Sequence, residues 1–267
     1  MNTAREEILK EFLDKRIVDR DSLNGILITG SYAKNIQHPG SDLDVILISK
    51  SKSKVRKRGN IIVNGVMVEY YINTYRQILR YFEIDKEHYN PMIYFSILEG
   101  KIVFEKYGTL SRLKKMARLW MDKQFPKIKD TSVEFSKYVM SDTLNKMKSL
   151  YRKNSDSFTF SYFINLKNIY ESYAKYLRQP ILKEYMLTDY FSENNRFSDL
   201  VNKFPDETFS RLFYKALTCT NIDKRIDLYE KITNHILKCM QGFKLDGWSL
   251  TLPVDYSNRR DIRSRVF

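Results

Sequence analysis

Asp42 and Asp44 stand two residues apart in Ser41-Asp-Leu-Asp-Val-Ile-Leu-Ile48. On a β-strand, positions i and i+2 face the same way, about 6.5–7 Å apart. Two carboxylates on one face of a strand flanked by Ile and Leu repel each other and are costly to desolvate unless a cation lies between them. Oxygen-only donors point to Mg²⁺ or Mn²⁺ rather than Zn²⁺. Glu69 is the one acid in the otherwise apolar run Val66-Met-Val-Glu-Tyr-Tyr-Ile72. If the two strands are sheet neighbours, Glu69 joins the pair. Three carboxylates can hold two Mg²⁺ about 3.5–4 Å apart, the arrangement for in-line phosphoryl or nucleotidyl transfer.

Gly30-Ser31 supplies a second element. A glycine just after a strand allows close backbone approach, and the start of the following helix offers free N–H groups to phosphate. Ser31 adds a hydroxyl donor. Lys34, one turn on, can neutralise a phosphate tail. Each of these features alone has an ordinary explanation as a turn, a solvated strand edge or surface charge. Their order and spacing carry the inference: Gly-Ser, ten residues, Asp-apolar-Asp, then a lone acid in an apolar strand.

The elements that hold these residues follow from the hydrophobic pattern. Residues 4–16 read as an amphipathic helix. Gly25–Thr29 is almost wholly apolar, as a central strand covered on both faces should be. Ser31–Asn35 forms a short helix, and His38-Pro39-Gly40 a turn. In the strand Asp42–Ile48, Leu43, Val45 and Leu47 take one face. Asp42, Asp44, Ile46 and Ile48 take the other. Six of the nine residues Lys50–Arg58 are basic, which predicts an exposed hairpin loop. A turn then leads into Val66–Ile72. Residues 74–82 and 89–99 are helical, and Lys101–Glu105 is a strand at the sheet edge.

After Gly108-Thr109 the period stays helical: Leu110–Gln124, Val133–Arg152, Phe160–Leu177, Pro180–Tyr190, Glu207–Leu217 and Asp223–Met240. The expected fold class is therefore α+β (mixed α/β), a small mixed sheet followed by an all-α helical bundle. The expected domains are residues 1–107 and 108–267, with the boundary within 108–126. The tail from Gly247, with Arg259, Arg260, Arg263 and Arg265, reads as an exposed arm.

The chain has 267 residues, 43% hydrophobic and 29% charged, the composition of a folded globular protein. Its 19 Tyr and 16 Phe suit core packing or a base-binding cleft. The net charge is +14, which favours a polyanionic partner such as nucleotide, nucleic acid or an anionic membrane surface. Cys219 and Cys239 form no disulfide framework and no CxxC or Cys/His zinc pattern, and read as reduced thiols. With no apolar leader and no long apolar run, the sequence predicts a cytoplasmic protein outside the membrane.

At these residues the chain resembles the DNA polymerase β-like nucleotidyltransferase superfamily, and within it the small bacterial antibiotic and minimal nucleotidyltransferases. The signature reads Thr29-Gly30-Ser31, then Ser41-Asp42-Leu43-Asp44-Val45, then Val68-Glu69-Tyr70. Thr29 stands where an apolar residue is usual, and Lys34-Asn35 where many relatives have Arg-Gly. The resemblance covers residues 20–107. It implies Asp42, Asp44 and Glu69 as catalytic metal ligands, with Gly30 and Ser31 holding the triphosphate beside Lys34 and Ser41. It also implies two Mg²⁺ (or Mn²⁺) ions and a nucleoside triphosphate substrate. In antibiotic-modifying relatives a helical domain closes the cleft and often carries a carboxylate base. Glu171 is the candidate here, with Glu134 and Asp142 as others, and Lys146 and Lys167 could reach phosphate.

The expected function is transfer of a nucleoside monophosphate from the triphosphate to a hydroxyl of a small acceptor, such as an aminoglycoside or lincosamide, with release of pyrophosphate. The rivals are the same chemistry on tRNA or protein, favoured by the charge, and a catalytically inert nucleic-acid-binding module. The intact carboxylate triad argues against the last. Oligomeric state is not legible in the sequence.

Overall fold

The structure is a computed structural model and describes residues 3–15, 19–50, 56–193 and 195–251. The chain divides into two compact units, one of residues 1–126 and 178–203, the other of residues 127–177 and 204–267.

The first unit begins with helix α1 (Thr3–Asp14), then strand β1 (Leu23–Thr29), short helix α2 (Gly30–Lys34) and strand β2 (Leu43–Ser49). Strands β3 (Lys57–Val63) and β4 (Val66–Thr74) form a hairpin, followed by α3 (Tyr75–Glu87), α4 (Met92–Glu99), β5 (Lys101–Glu105) and α5 (Thr109–Asp122). The five strands lie in the order β3-β4-β2-β1-β5. Strand β2 runs parallel to β4 and antiparallel to β1. The sheet is thus mixed, and β5 lies at its edge as the sequence predicts.

Local chemistry sets much of this. At the hairpin turn, Asn64 and Gly65 have φ of 50° and 77°, the left-handed pair that a two-residue hairpin needs to match strand twist. The turn fixes Val63 opposite Val66 and, further along, Asn60 opposite Glu69 and Arg58 opposite Tyr71. Thr74 accepts from the Gln77 amide while the Gln77 side chain accepts from the Thr74 amide, a capping box that starts α3 where β4 ends.

Both faces of the sheet are covered. On one face Leu43, Val45 and Leu47 pack with Val68, Tyr70 and Ile8, Leu9 and Phe12 of α1. On the other, Ile46 and Ile48 pack with Ile78 and Phe82 of α3, Tyr94 and Ile97 of α4, and Leu110, Leu113 and Ala117 of α5. The alternation read from β2 is the one observed.

The first stretch of the sheet unit ends at residue 126, within the expected boundary range of 108–126, and a later stretch joins it. Helix α5 completes the core beneath Leu27 and Ile46, so it packs with the sheet. Residues 178–203, including α8 (Glu184–Phe191), also group with the sheet unit. Within that unit, the Ile181 amide donates to the Tyr89 carbonyl at 2.7 Å and Arg178 Nε to the Phe125 carbonyl at 2.6 Å. Helical period cannot say which core a helix will join.

The second unit consists of α6 (Asp130–Arg152), α7 (Ser157–Tyr176), α9 (Glu207–Thr218) and α10 (Ile222–Cys239). Tyrosine and phenylalanine fill its core. Tyr162, Tyr170, Tyr173, Phe209, Phe213 and Tyr229 are buried. Phe209 and Phe213 stack with ring centres 5.1 Å apart. The Tyr162 hydroxyl donates to the Ala216 carbonyl at 3.0 Å, so a polar tip is satisfied inside an apolar packing.

No helix among the described residues is long and apolar enough to cross a membrane. The predicted basic loop lies partly outside the described residues, but Lys57 and Arg58 are strand residues of β3. The expected Arg-rich arm from Gly247 lies outside them beyond residue 251.

Candidate active site

Strand β1 ends at Thr29, and β2 begins at Leu43, just after Asp42. Thr29 pairs with Asp44 across β1 and β2, and Asp44 pairs with Glu69 across β2 and β4. In a parallel pair, opposed residues share a face. The condition on Glu69 is therefore met: β4 is the sheet neighbour of β2, and Glu69 stands opposite the second aspartate. Asp42, Asp44 and Glu69 each offer an oxygen, and these atoms all lie within 4.8 Å of one another. All three side chains are partly buried.

Gly30 completes one wall. Its φ is +67°, and a Cβ there would stand 2.4 Å from Asp44 Oδ2. Only glycine combines that backbone with so close an approach to the carboxylate. The turn after β1 is thus built against the acid cluster. Helix α2 ends at Asn35, left-handed with φ 57° and ψ 36°, whose amide bonds the Ser31 carbonyl. Asn tolerates that geometry without glycine.

The electrostatics show what three clustered acids cost. Burial pushes the Asp44 carboxyl up to about 6, and the charges of Asp42 and Glu69 add to the shift. Burial also raises Glu69, but hydrogen bonds from Arg58 and Tyr71 and the Arg58 charge outweigh it and leave Glu69 below its ordinary range. A proton shared by the pair therefore sits on Asp44. Tyr71 is raised to about 12 by burial and by its bond to Glu69.

Arg58 and Tyr71 were missed by sequence reasoning. Arg58 Nε donates to Glu69 Oε1 at 3.0 Å, and its Nη2 bonds the same oxygen. Its guanidinium lies 4.9 Å from the Tyr71 ring centre. The Asn64-Gly65 turn carried the signal: counting back from it puts Arg58 opposite Tyr71, on the face of Glu69. The surrounding Lys and Ser residues hid the strand.

The other predicted residues stand as follows. Lys34 Nζ bonds Glu99 Oε1 at 2.5 Å, at the end of α4, so its charge is engaged within the unit. Ser41 closes the preceding turn, its Oγ accepting from the His38 amide at 3.0 Å. Ser31 opens α2 beside Gly30. Glu171, Glu134 and Asp142 belong to the helical unit, where each pairs with a lysine one turn away. Glu171 meets Lys167 at 3.6 Å, Glu134 meets Lys137 at 2.7 Å and Asp142 meets Lys146 at 2.6 Å.

The chemistry this arrangement offers is that of a hard divalent cation. Its donors are oxygen only, the acids are held together against repulsion, and Asp44 is pushed up to about 6 by burial and by its acidic neighbours. Asp42, Asp44 and Glu69 fit such an ion.

Residues 6–104 match the family model for a nucleotidyltransferase domain. Among solved structures, the chain is similar to a nucleotidyltransferase-like protein from Exiguobacterium sibiricum 255-15, with 16% identity and a TM-score of 0.42 over 89% of this chain and 74% of that one. No curated protein matches the sequence.

Proposed function

Residues 6–104 being a nucleotidyltransferase domain of the DNA polymerase β-like superfamily, we propose that this enzyme transfers a nucleoside monophosphate to a hydroxyl of a small acceptor such as an aminoglycoside or lincosamide. The supporting observation is the parallel register that sets Asp44 against Glu69 and gathers three carboxylates within 4.8 Å.

In this reading Asp42, Asp44 and Glu69 hold divalent ions, Mg²⁺ by preference. Ions held there would supply countercharge to the phosphates of the triphosphate. Below about pH 6 Asp44 must first lose its proton to take part. Gly30 lets the backbone come close to the phosphates, with Ser31 beside it and Ser41 shaping the turn before Asp42. Lys34 would have to leave Glu99 to reach phosphate. The acceptor oxygen forms its bond to the α-phosphorus as the bond to the bridging oxygen breaks, and pyrophosphate leaves with that electron pair. The acceptor proton passes to a carboxylate base. Most of the rate comes from positioning and charge neutralisation.

The net charge of +14 favours a second acceptor class, tRNA or protein. One experiment separates the readings. The protein is incubated with each labelled nucleoside triphosphate, Mg²⁺ or Mn²⁺, and a panel of aminoglycosides, lincosamides, bulk tRNA and protein. Label on a drug, with weak dependence on salt, supports the first reading. Label on tRNA, falling steeply with salt, supports the second. No transfer under any condition overturns both.

A further inference from the structure

A second cluster of metal-binding side chains lies in the helical unit. Asp206, His235 and Cys239 each offer one donor atom, and these atoms all lie within 4.8 Å of one another. His235 Nε2 is 2.7 Å from Asp206 Oδ2, and Cys239 Sγ is 3.7 Å from that nitrogen and 3.8 Å from that oxygen.

Local sequence accounts for the convergence. His235 and Cys239 are i and i+4 on α10, so one turn places them on the same face. Asp206 is the N-cap of α9. Its Oδ1 accepts from the Phe209 amide at 2.8 Å, which leaves Oδ2 to point into the cluster. The Tyr173 hydroxyl on α7 donates to that same Oδ2 at 2.6 Å. The carboxylate is therefore oriented from both ends, as the outer partners of metal ligands orient them.

Two hydrogen-bonded readings compete. A nucleophilic Cys-His-Asp relay needs the acid and the thiol on opposite ring nitrogens. Here both approach Nε2, so the imidazole cannot pass a proton from one to the other. A Tyr173–Asp206–His235 network, with the Cys239 thiol donating weakly to Asp206 at 3.8 Å, would also tie three helices together, but it does not require the nitrogen, oxygen and sulfur donors to converge at near-tetrahedral spacing. Tetrahedral zinc, with ligands at about 2.0–2.3 Å, separates its donor atoms by about 3.3–3.6 Å. The two sulfur distances lie just outside that range. The Asp206–His235 distance would open by roughly half an ångström as the ion replaced the hydrogen bond.

We propose that Asp206, His235 and Cys239 form a Zn²⁺ site. The mixed oxygen, nitrogen and sulfur donors suit a borderline ion and not Mg²⁺. Cys239 is exposed, so a fourth position opens to water. Binding releases the Cys239 thiol proton, and His235 carries its remaining proton on Nδ1. Tyr173 is a positioning residue. The ion links α10 to the start of α9 within the helical unit. The site shares no residue with the carboxylate triad and does not depend on the proposed function.

The full-length protein, stripped of metal and kept reduced, is titrated with Co²⁺ and then with Zn²⁺ against a chromophoric chelator. One Co²⁺ is expected to give a thiolate-to-cobalt absorption band, displaced by one equivalent of Zn²⁺. The band should survive in Cys219→Ser and in the double variant Asp42→Asn/Asp44→Asn, and vanish in Cys239→Ser. Because Cys239 is exposed, Cys239→Ser should keep the wild-type circular dichroism, and its Zn²⁺ affinity should fall at least about tenfold, as should that of Tyr173→Phe. A folded wild type without the band, or a band that persists in Cys239→Ser, overturns the assignment.

Discussion

Asp44 and Glu69 stand directly opposite each other in the parallel pair of β2 and β4. They lie 25 residues apart in the chain, yet the register places their carboxylates on one face beside Asp42. Nothing local requires this. It follows from β4 returning alongside β2 after the β3 hairpin. Without a cation, the arrangement strains Asp44 most, and several outcomes follow from that strain.

Asp44→Asn should reduce nucleotide transfer to background, because the variant cannot supply the anionic ligand. The same change should raise the melting temperature of the metal-free protein at pH 7.5. It removes a half-buried charge beside two others, a gain of about 1–3 kcal/mol. Thermal unfolding in a chelating buffer checks this. A variant less stable than the wild type would mean that the three acids are not in conflict.

The pH dependence has a definite sign. Asp44 titrates at about 6 in the folded protein against an ordinary 3.8. The folded state therefore holds this proton more tightly than the unfolded state between those values. Its contribution to stability is fully present below 3.8 and is lost as pH rises through about 6. Glu69, held below its ordinary range, acts at lower pH and in the opposite direction. Metal must displace the Asp44 proton, so Mn²⁺ affinity should climb from pH 5 to pH 7 and level off above. Calorimetric titration below pH 6 should show about one proton released per ion. Affinity that is flat across this interval would contradict the placement of the proton.

Arg58 competes with metal for Glu69. At pH 8, where Asp44 is ionised, Arg58→Ala should bind Mn²⁺ roughly two- to fivefold more tightly, the modest scale expected of an exposed ion pair. At pH 5.5 the gain should shrink, since Arg58 also lowers the Asp44 pKa. Weaker binding at pH 8 would indicate that Arg58 helps to assemble the site.

Gly30→Ala tests the contact between the turn and the acids. The φ of +67° costs an alanine about 1–2 kcal/mol, and its Cβ would displace Asp44 Oδ2. Transfer should fall at least as far as in Ser31→Ala, while the protein stays folded by circular dichroism. Full activity in Gly30→Ala would show that Asp44 need not hold its observed position.

Much of the site was legible because its determinants are short-range. The alternation through β2 separated the acids from Leu43, Val45 and Leu47, and the core shows the same division. Gly30 stood out because only a glycine suits a turn that must leave a strand and pass close to a charge. Arg58 was hidden because it directly follows the Lys- and Ser-rich run from Lys50, which has the composition of a loop. Its register becomes readable only by counting back from Asn64-Gly65. The Asp206 cluster was invisible, since its donors come from a helix cap and a helix face 29 residues apart. Of that cluster, only the i, i+4 pair on α10 is written locally.

The sequence by itself determined which groups are available and the periods that orient them: two aspartates on one strand face, one glutamate in an apolar strand, a glycine turn, and helices after residue 108. Tertiary structure decided which strand lies beside which, which core α5 and α8 join, and which cation meets Glu69. Those outcomes depend on contacts between residues far apart in the chain, and the free energy that selects them comes from burying whole faces of strands and helices together. A local pattern can orient a side chain relative to its own strand. Only the packed sheet can set Asp44 against Glu69.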